Sequence, residues 1–289
     1  MTDEQILDFD KLWNYNDPSD TERQFRGLLP AAEHSADKSY LAQLLTQIAR
    51  AQGLQRLFED AHKTLDVVSK LLTDDLQTAR VRYLLERGRV FNSSGEKDQA
   101  RPLFLQAWEL AQAVYEDFYA VDAAHMLAIA LSADEQMSWN LKALELAEIS
   151  DQPRARNWLG SLYNNIGWTY HDAGQYSQAL DIFEKALGFR EAQGEPANIR
   201  VAKWCIARTL RSLGRTQETL DSQLALLAEH VAAGTSDGYV SEEIGECLLK
   251  LGRTDESRPY FAQAYDELSK DEWLVANESA RLQRLKSLS

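Results

Sequence analysis

Apolar residues in this chain recur at the three- and four-residue spacing of helices, and the whole pattern returns about every 39 residues. It is clearest in Tyr163, Ile166, Gly167 and Tyr170, followed by Gly174, Tyr176, Ala179, Phe183 and Ala186. The same skeleton reappears as Gly88, Phe91, Gly95, Ala100, Phe104 and Ala107, and again as Gly245, Leu248, Gly252, Ser257, Phe261 and Ala264. In each copy the two glycines are seven apart, the aromatic comes nine after the second glycine, and an alanine follows three later. Such self-similarity predicts helical hairpins stacked so that each touches only its neighbours and all share one elongated core. No β-branched alternating run of strand length interrupts it, so the predicted fold is all-α.

Six helix pairs follow, their second helices beginning near Gln55, Lys97, Glu135, Tyr176, Thr216 and Thr254. At the small residue facing the partner helix, five units carry Gly88, Ala128, Gly167, Ala207 and Gly245, at steps of 40, 39, 40 and 38. The first pair, roughly Lys38 to Leu72, fits only with about three extra residues between its helices. Before it, Asn16-Asp17-Pro18-Ser19 predicts a stop and then an N-cap at Ser19 or Asp20, opening a helix to about Ala32. The expected organisation is N-terminal capping helices over 1–37, six helix pairs over 38–270, and one capping helix over 271–289. That last helix carries Trp273, Val275 or Ala276, Ala280, Leu282 and Leu285 on its apolar side. Pro102, Pro153, Pro196 and Pro259 are expected in first turns or just before them, where a missing N–H costs little.

Charge changes the picture of partners more than of fold. The chain has 289 residues and a net charge of −14, the reverse of the basic footprint that nucleic acid or an anionic membrane surface requires. No apolar stretch reaches the roughly 20 residues of a membrane span, and Met1-Thr2-Asp3-Glu4-Gln5 is acidic rather than a signal peptide. Two isolated cysteines, Cys205 and Cys247, suit a reducing compartment as buried thiols rather than a disulfide framework. The expectation is a cytoplasmic protein that binds neither nucleic acid nor membrane. Neither a nucleophile elbow, a phosphate-cradling glycine loop, HExxH nor CxxC occurs, and the five histidines lack ligand spacing. The chain therefore reads as no enzyme, with no cofactor and no metal.

Gly167, Tyr170, Gly174, Ala179, Phe183 and Ala186 resemble the signature of the tetratricopeptide repeat family. The units at Gly88 and Gly245 match it well, those at Ala128 and Ala207 less closely, and the first weakly. The usual repeat has 34 residues, so this looks like a long-repeat variant of about 39. The resemblance implies a right-handed superhelix whose concave groove is lined by the first helix of each pair and binds other proteins through an extended segment or a helix.

By the same resemblance, the stripe beside the core on each first helix faces that groove. It comprises Arg82, Leu85, Arg89 and Asn92; Asp122, His125, Ile129 and Ser132; Ser161, Asn164, Trp168 and His171; Val201, Trp204, Arg208 and Arg211; and Tyr239, Glu242, Glu246 and Leu249. Over the second to fifth units this gives four arginines, two histidines, two tryptophans and two asparagines against one acid, Asp122. Arginine forks suit carboxylates, tryptophan gives flat contact area, and asparagine can pair with a peptide backbone. The candidate groove is Arg82, Arg89, Asn92, His125, Asn164, Trp168, His171, Trp204, Arg208 and Arg211, taking an acidic peptide segment or a chain terminus. A structural reading stands beside it, in which each arginine pairs with an acid of the next repeat and the tryptophans fill space between repeats. The leading function is a non-catalytic adaptor or scaffold; the alternatives are a peptide-sensing regulator and a self-assembling structural protein. The Lys/Asn/Asn/Lys/Arg clamp for chaperone carboxylates is not expected, because Val201 and Cys205 stand where Lys and Arg belong.

Overall fold

A helix followed closely by another needs a residue that can reverse the chain without strain, and Gly174 does this at φ +74°, as Gly95 does at φ +92° in the equivalent turn. In the computed structural model, which describes residues 7–131 and 133–289, the second helices accordingly begin where the spacing predicts. They start at Lys97, Tyr176, Thr216 and Thr254. In the first pair Arg56, not glycine, takes the left-handed position at φ +63°, so the same turn carries no glycine to mark it. Its turn runs on to Leu57, and the second helix starts at Phe58 rather than near Gln55. The Met1–Gln5 stretch, the stripe residue Ser132 and the side chains of residues 133 and 134 lie outside what is described.

The chain divides into two compact units, 1–162 and 163–289. In the first, a 3₁₀ turn over Phe9–Leu12 precedes α1 (Pro18–His34). Three pairs follow: α2 (Lys38–Leu54) with α3 (Phe58–Leu71), α4 (Gln77–Ser93) with α5 (Lys97–Ala113), and α6 (Asp117–Ala130) with α7 (Ala133–Ile149). A short α8 (Pro153–Arg156) leads to α9 (Leu159–Asp172), within which the boundary between the units falls in sequence. The second unit continues with α10 (Tyr176–Gln193), α11 (Pro196–Ser212), α12 (Thr216–Ala232), α13 (Gly238–Lys250) and α14 (Thr254–Leu268). It ends in α15 (Glu272–Asn277) and α16 (Ser279–Leu288). First helices touch one another, α2 with α4 and α11 with α13, while each also packs on its own second helix.

The repeated glycine and aromatic form one lock used three times. Phe104, Phe183 and Phe261 are fully buried, and each ring lies against the glycine sixteen residues before it in sequence. A Cβ on Gly88 would sit 2.5 Å from the Phe104 ring, and one on Gly245 2.9 Å from Phe261; at Gly167 it would overlap Phe183 as well. Removing the side chain is what lets the helix pair close onto a full-sized ring.

Several local expectations need correcting. α1 is capped by Asp17, whose carboxylate accepts from the Asp20 N–H at 2.9 Å, with Pro18 at the first turn, so neither Ser19 nor Asp20 is the cap. Pro153 and Pro196 do occupy first turns, but Pro102 and Pro259 lie inside α5 and α14. The last helix is two, broken at Glu278, and it is Leu274 with Leu282 and Leu285 that pack on Phe261, while Trp273 and Val275 stay exposed. No helix among the described residues is long and apolar enough to cross a membrane.

Candidate functional site

Side chains three, four and seven apart on a helix share a face, and most of the stripe residues are ion-paired, hydrogen-bonded or ring-packed within their own unit. Leu85 is instead fully buried in the core with Val81 and Phe104. Of the ten candidate residues, Arg82, Arg89, Asn92 and His125 belong to the first unit and the other six to the second.

In the first unit the arginines are already paired. Arg89 donates to both carboxylate oxygens of Asp122 and to Glu86 at 2.6 Å. Glu86, itself buried, also takes Arg50 at 3.3 Å. Arg82 is buried and donates to Asp10 through both terminal nitrogens, at 2.7 and 3.2 Å, and to the Tyr119 hydroxyl at 2.9 Å. Asp10 receives Arg154 as well, at 3.3 Å. Burial alone would raise the Asp10 carboxyl, but Arg82 and Arg154 hold it below the ordinary carboxylate value. Asn92 keeps a buried Oδ1, and His125 a buried Nδ1, with no hydrogen-bond partner among the described residues. The His125 ring packs at 5.1 Å from Trp158.

Asp10 belongs to a stretch the sequence had assigned to capping. α1 does pack on α2, but the residues before it lie across the face of α2, α4 and α6. Phe9 is buried, 5.2 Å from Tyr40 and 6.1 Å from Phe25 by ring centroids, with the Arg82 guanidinium 5.1 Å above its ring. Trp13 donates its Nε1–H to Gln47 at 3.1 Å and stacks on Tyr15 at 4.8 Å, with Arg50 over both rings. The Tyr40 hydroxyl donates to the Leu7 carbonyl at 3.0 Å.

The second unit pairs its arginines with acids of a neighbouring repeat. Arg211 grips Glu243 with two bonds of 2.6 and 2.8 Å, and Arg208 reaches the same carboxylate at 3.2 Å. Arg281 and Arg284 of α16 bind Glu242 and Glu246. Positive stripe residues thus meet acids, most of which the stripe did not include. Arg208 also donates to Ser212 Oγ at 2.7 Å, which lies 3.0 Å from His171 Nε2. Asn164 Oδ1 accepts from the Cys205 thiol at 3.7 Å. Burial pushes the Cys205 and Cys247 thiols up to about 12, leaving both as unreactive thiols.

Aromatic rings then run from helix to helix: Trp168 to Trp204 at 5.8 Å, and Trp204 to Tyr239 at 5.9 Å. Beside the second of these contacts, Val201, Trp204, Asp237 and Tyr239 line a recess of about 220 Å³. Val201 is 54% exposed at this recess, and the buried Trp204 Nε1 has no acceptor among the described residues. Among those residues no group of three His, Cys, Asp or Glu is placed to hold a metal ion.

Burial lowers the pKa of His62, His125 and His171, the last two also feeling Arg89 and Arg208. The unfolded chain takes up protons near the ordinary histidine value of about 6.5, where the folded protein still refuses them. Stability therefore rises with pH across that window and should fall on acidification below about 6.5. Thermal unfolding followed at pH 8, 6.5 and 5.5 should show the midpoint dropping, and His125→Gln should flatten part of the drop.

Residues 159–192 match the tetratricopeptide repeat family model, a stretch that covers α9 and α10 and ends one residue short of the latter's last. The chain is 27% identical over 167 residues to outer dynein arm-docking complex subunit 4 of Danio rerio, covering 54% of this chain and 34% of that protein. It thus spans about a third of that relative's length. Among solved structures, the apo form of RapI superposes with a TM-score of 0.71 at 12% identity, over 91% of this chain and 76% of that one. NprR in complex with its cognate peptide NprX gives 0.53 at 18% identity, over 100% and 84%. At such identities the likeness is one of fold, and the fold is the stacked helical hairpin that the glycine–aromatic lock builds here. Residues 159–192 thus match one tetratricopeptide repeat, set among helical hairpins of the same fold.

Proposed function

We propose that this protein is a non-catalytic adaptor or scaffold that takes a peptide-like segment of a partner on the face of its first helices. The recess between α11 and α13 carries the reading. Ligand sites are concave and mostly apolar, with a few placed polar groups. Here an exposed valine, two aromatic residues and Asp237 converge in the second unit. An apolar side chain fits the recess. Acidic character in the ligand finds no support at this recess, because Glu242, Glu243 and Glu246 balance the arginines beside it. It finds support in the first unit, where two arginines converge on a carboxylate. NprR, solved with its cognate peptide, shares the fold and holds the class of ligand proposed here.

The test is selection of binders from a displayed peptide library on the full-length protein, followed by Val201→Glu. Val201 is exposed, so the substitution leaves the core alone and places a charge at the recess. Binders that lose about tenfold or more in affinity, some 1.4 kcal/mol, support the reading. Binders that are unaffected, and cross-link instead to α10, α12 or α14, overturn it.

A further inference from the structure

The segment before α1 is tied to that helix by Asn14, which bonds Thr21, and by Phe9 and Trp13 against Phe25, and it is seated on the first-helix face by the interactions that seat a peptide ligand. It contributes a buried aromatic (Phe9), a carboxylate between two arginines (Asp10), and an indole bonded to a glutamine of α2 (Trp13). The four residues of its single 3₁₀ turn make no ladder with any neighbour, and Leu7 and Tyr15 at its two ends are more than half exposed. Beside it an open space of about 450 Å³ reaches Tyr40, Gln43, Arg82, Tyr119 and Arg154. Arg154, half of the clamp on Asp10, is 56% exposed and so can be approached by another carboxylate.

We infer that residues 7–15 are a tethered occupant of a peptide site on α2, α4 and α6. That site also takes a partner segment of the same chemistry: an aromatic followed directly by a carboxylate, with a second aromatic three residues later. The inference rests on the proposed reading of the first-helix face as a peptide-binding surface, and adds to it the ligand class and a built-in competitor. Charge complementarity argues for this occupant. With Asp10 withdrawn, the buried Arg82 guanidinium would keep only the neutral Gln43 and Tyr119 as its other hydrogen-bond partners, a position that favours replacement by another carboxylate over an empty site. Tethering raises the local concentration of the internal segment, so a free ligand binds with its intrinsic affinity reduced by the fraction of molecules whose site is open.

The experiment is fluorescence anisotropy with a labelled peptide of residues 7–15, titrated with the full-length wild type, with Asp10→Ala, and with Asp10→Ala combined with Arg82→Ala. Asp10→Ala should bind the peptide about tenfold or more tightly than wild type, because the competitor has lost its carboxylate. Adding Arg82→Ala should abolish binding, as should a peptide with asparagine in place of its second aspartate. Hydrogen exchange on the wild type provides a readout independent of any substitution: amides 9–15 should exchange faster than those of α2, and faster still with excess peptide. Equal or absent binding across the three proteins, with amides 9–15 exchanging only as slowly as α2, would make the segment a fixed part of the fold and end the proposal. A concentration-dependent dimer that disappears on adding the peptide would also overturn it, by making a second copy the occupant. Either failure leaves the Val201→Glu result at the second unit untouched, so the two readings are separable.

Discussion

Phe104→Ala is expected to destabilise the first unit by about 3–5 kcal/mol, the range for emptying a buried aromatic site. The ring is wholly inaccessible and joins Val81, Leu85, Ala100, Ala107 and Leu127 in the cluster that binds α4 to α5 and α6. Against a typical total of about 5–15 kcal/mol, the loss should be plain in the urea midpoint of far-ultraviolet circular dichroism. The partner position sharpens the test. Gly88→Ala in a helix interior ordinarily stabilises by roughly 0.5–1 kcal/mol. Here the new methyl would stand 2.5 Å from the Phe104 ring, and forcing extra volume into a packed core costs about 1–3 kcal/mol. Crowding wins, so Gly88→Ala should destabilise. The double variant should be more stable than the sum of the single losses predicts, since the methyl then meets the space that the ring has left. An additive cycle would show that the glycine and the ring are not packed as described.

Glu243→Ala should cost the second unit an amount at the low end of about 3–5 kcal/mol, the range for breaking a buried ion pair by removing one partner. The carboxylate is buried and receives three nitrogens from Arg208 and Arg211, whose side chains remain 26% and 22% exposed. That partial exposure lets water relieve some of the stranded charge, which is why the low end is expected. A thermal melt of the variant beside wild type checks it. The same geometry changes what charge reversal at the arginines would report. Arg208→Glu with Arg211→Glu is the direct test that the stripe suggests, but it would crowd two new carboxylates against Glu243. Partner affinity would then fall because the second unit loosens, whether or not a ligand touches those arginines. Val201→Glu avoids this, since nothing internal depends on Val201.

What could be read from the sequence divides according to how local its cause is. The lock of Gly167 with Phe183 was legible because it rests on sixteen residues of one hairpin, and a turn glycine fixes the geometry between them. The first pair was legible only loosely because Arg56 adopts the conformation that glycine marks elsewhere, and such a residue leaves no signal in the pattern. What each stripe residue meets was not legible. Arg89 finds Asp122, and Arg211 finds Glu243, 33 and 32 residues away, which is about one repeat onward. A search for an acid roughly one repeat after each stripe arginine would have found both. Nothing comparable points from Arg82 to Asp10, 72 residues earlier and outside the repeats; Phe9, Asp10 and Trp13 follow no period that would mark them as bound.

The sequence alone determined that this chain is helical, that its helices come in pairs, and where most second helices start. Those properties follow from periodic apolar positions and small residues acting within a few turns of one another. Only the tertiary structure decided which arginines keep a charge to offer. Charge neutralisation depends on distance in space, and stacking brings together acids and guanidiniums that no local pattern connects.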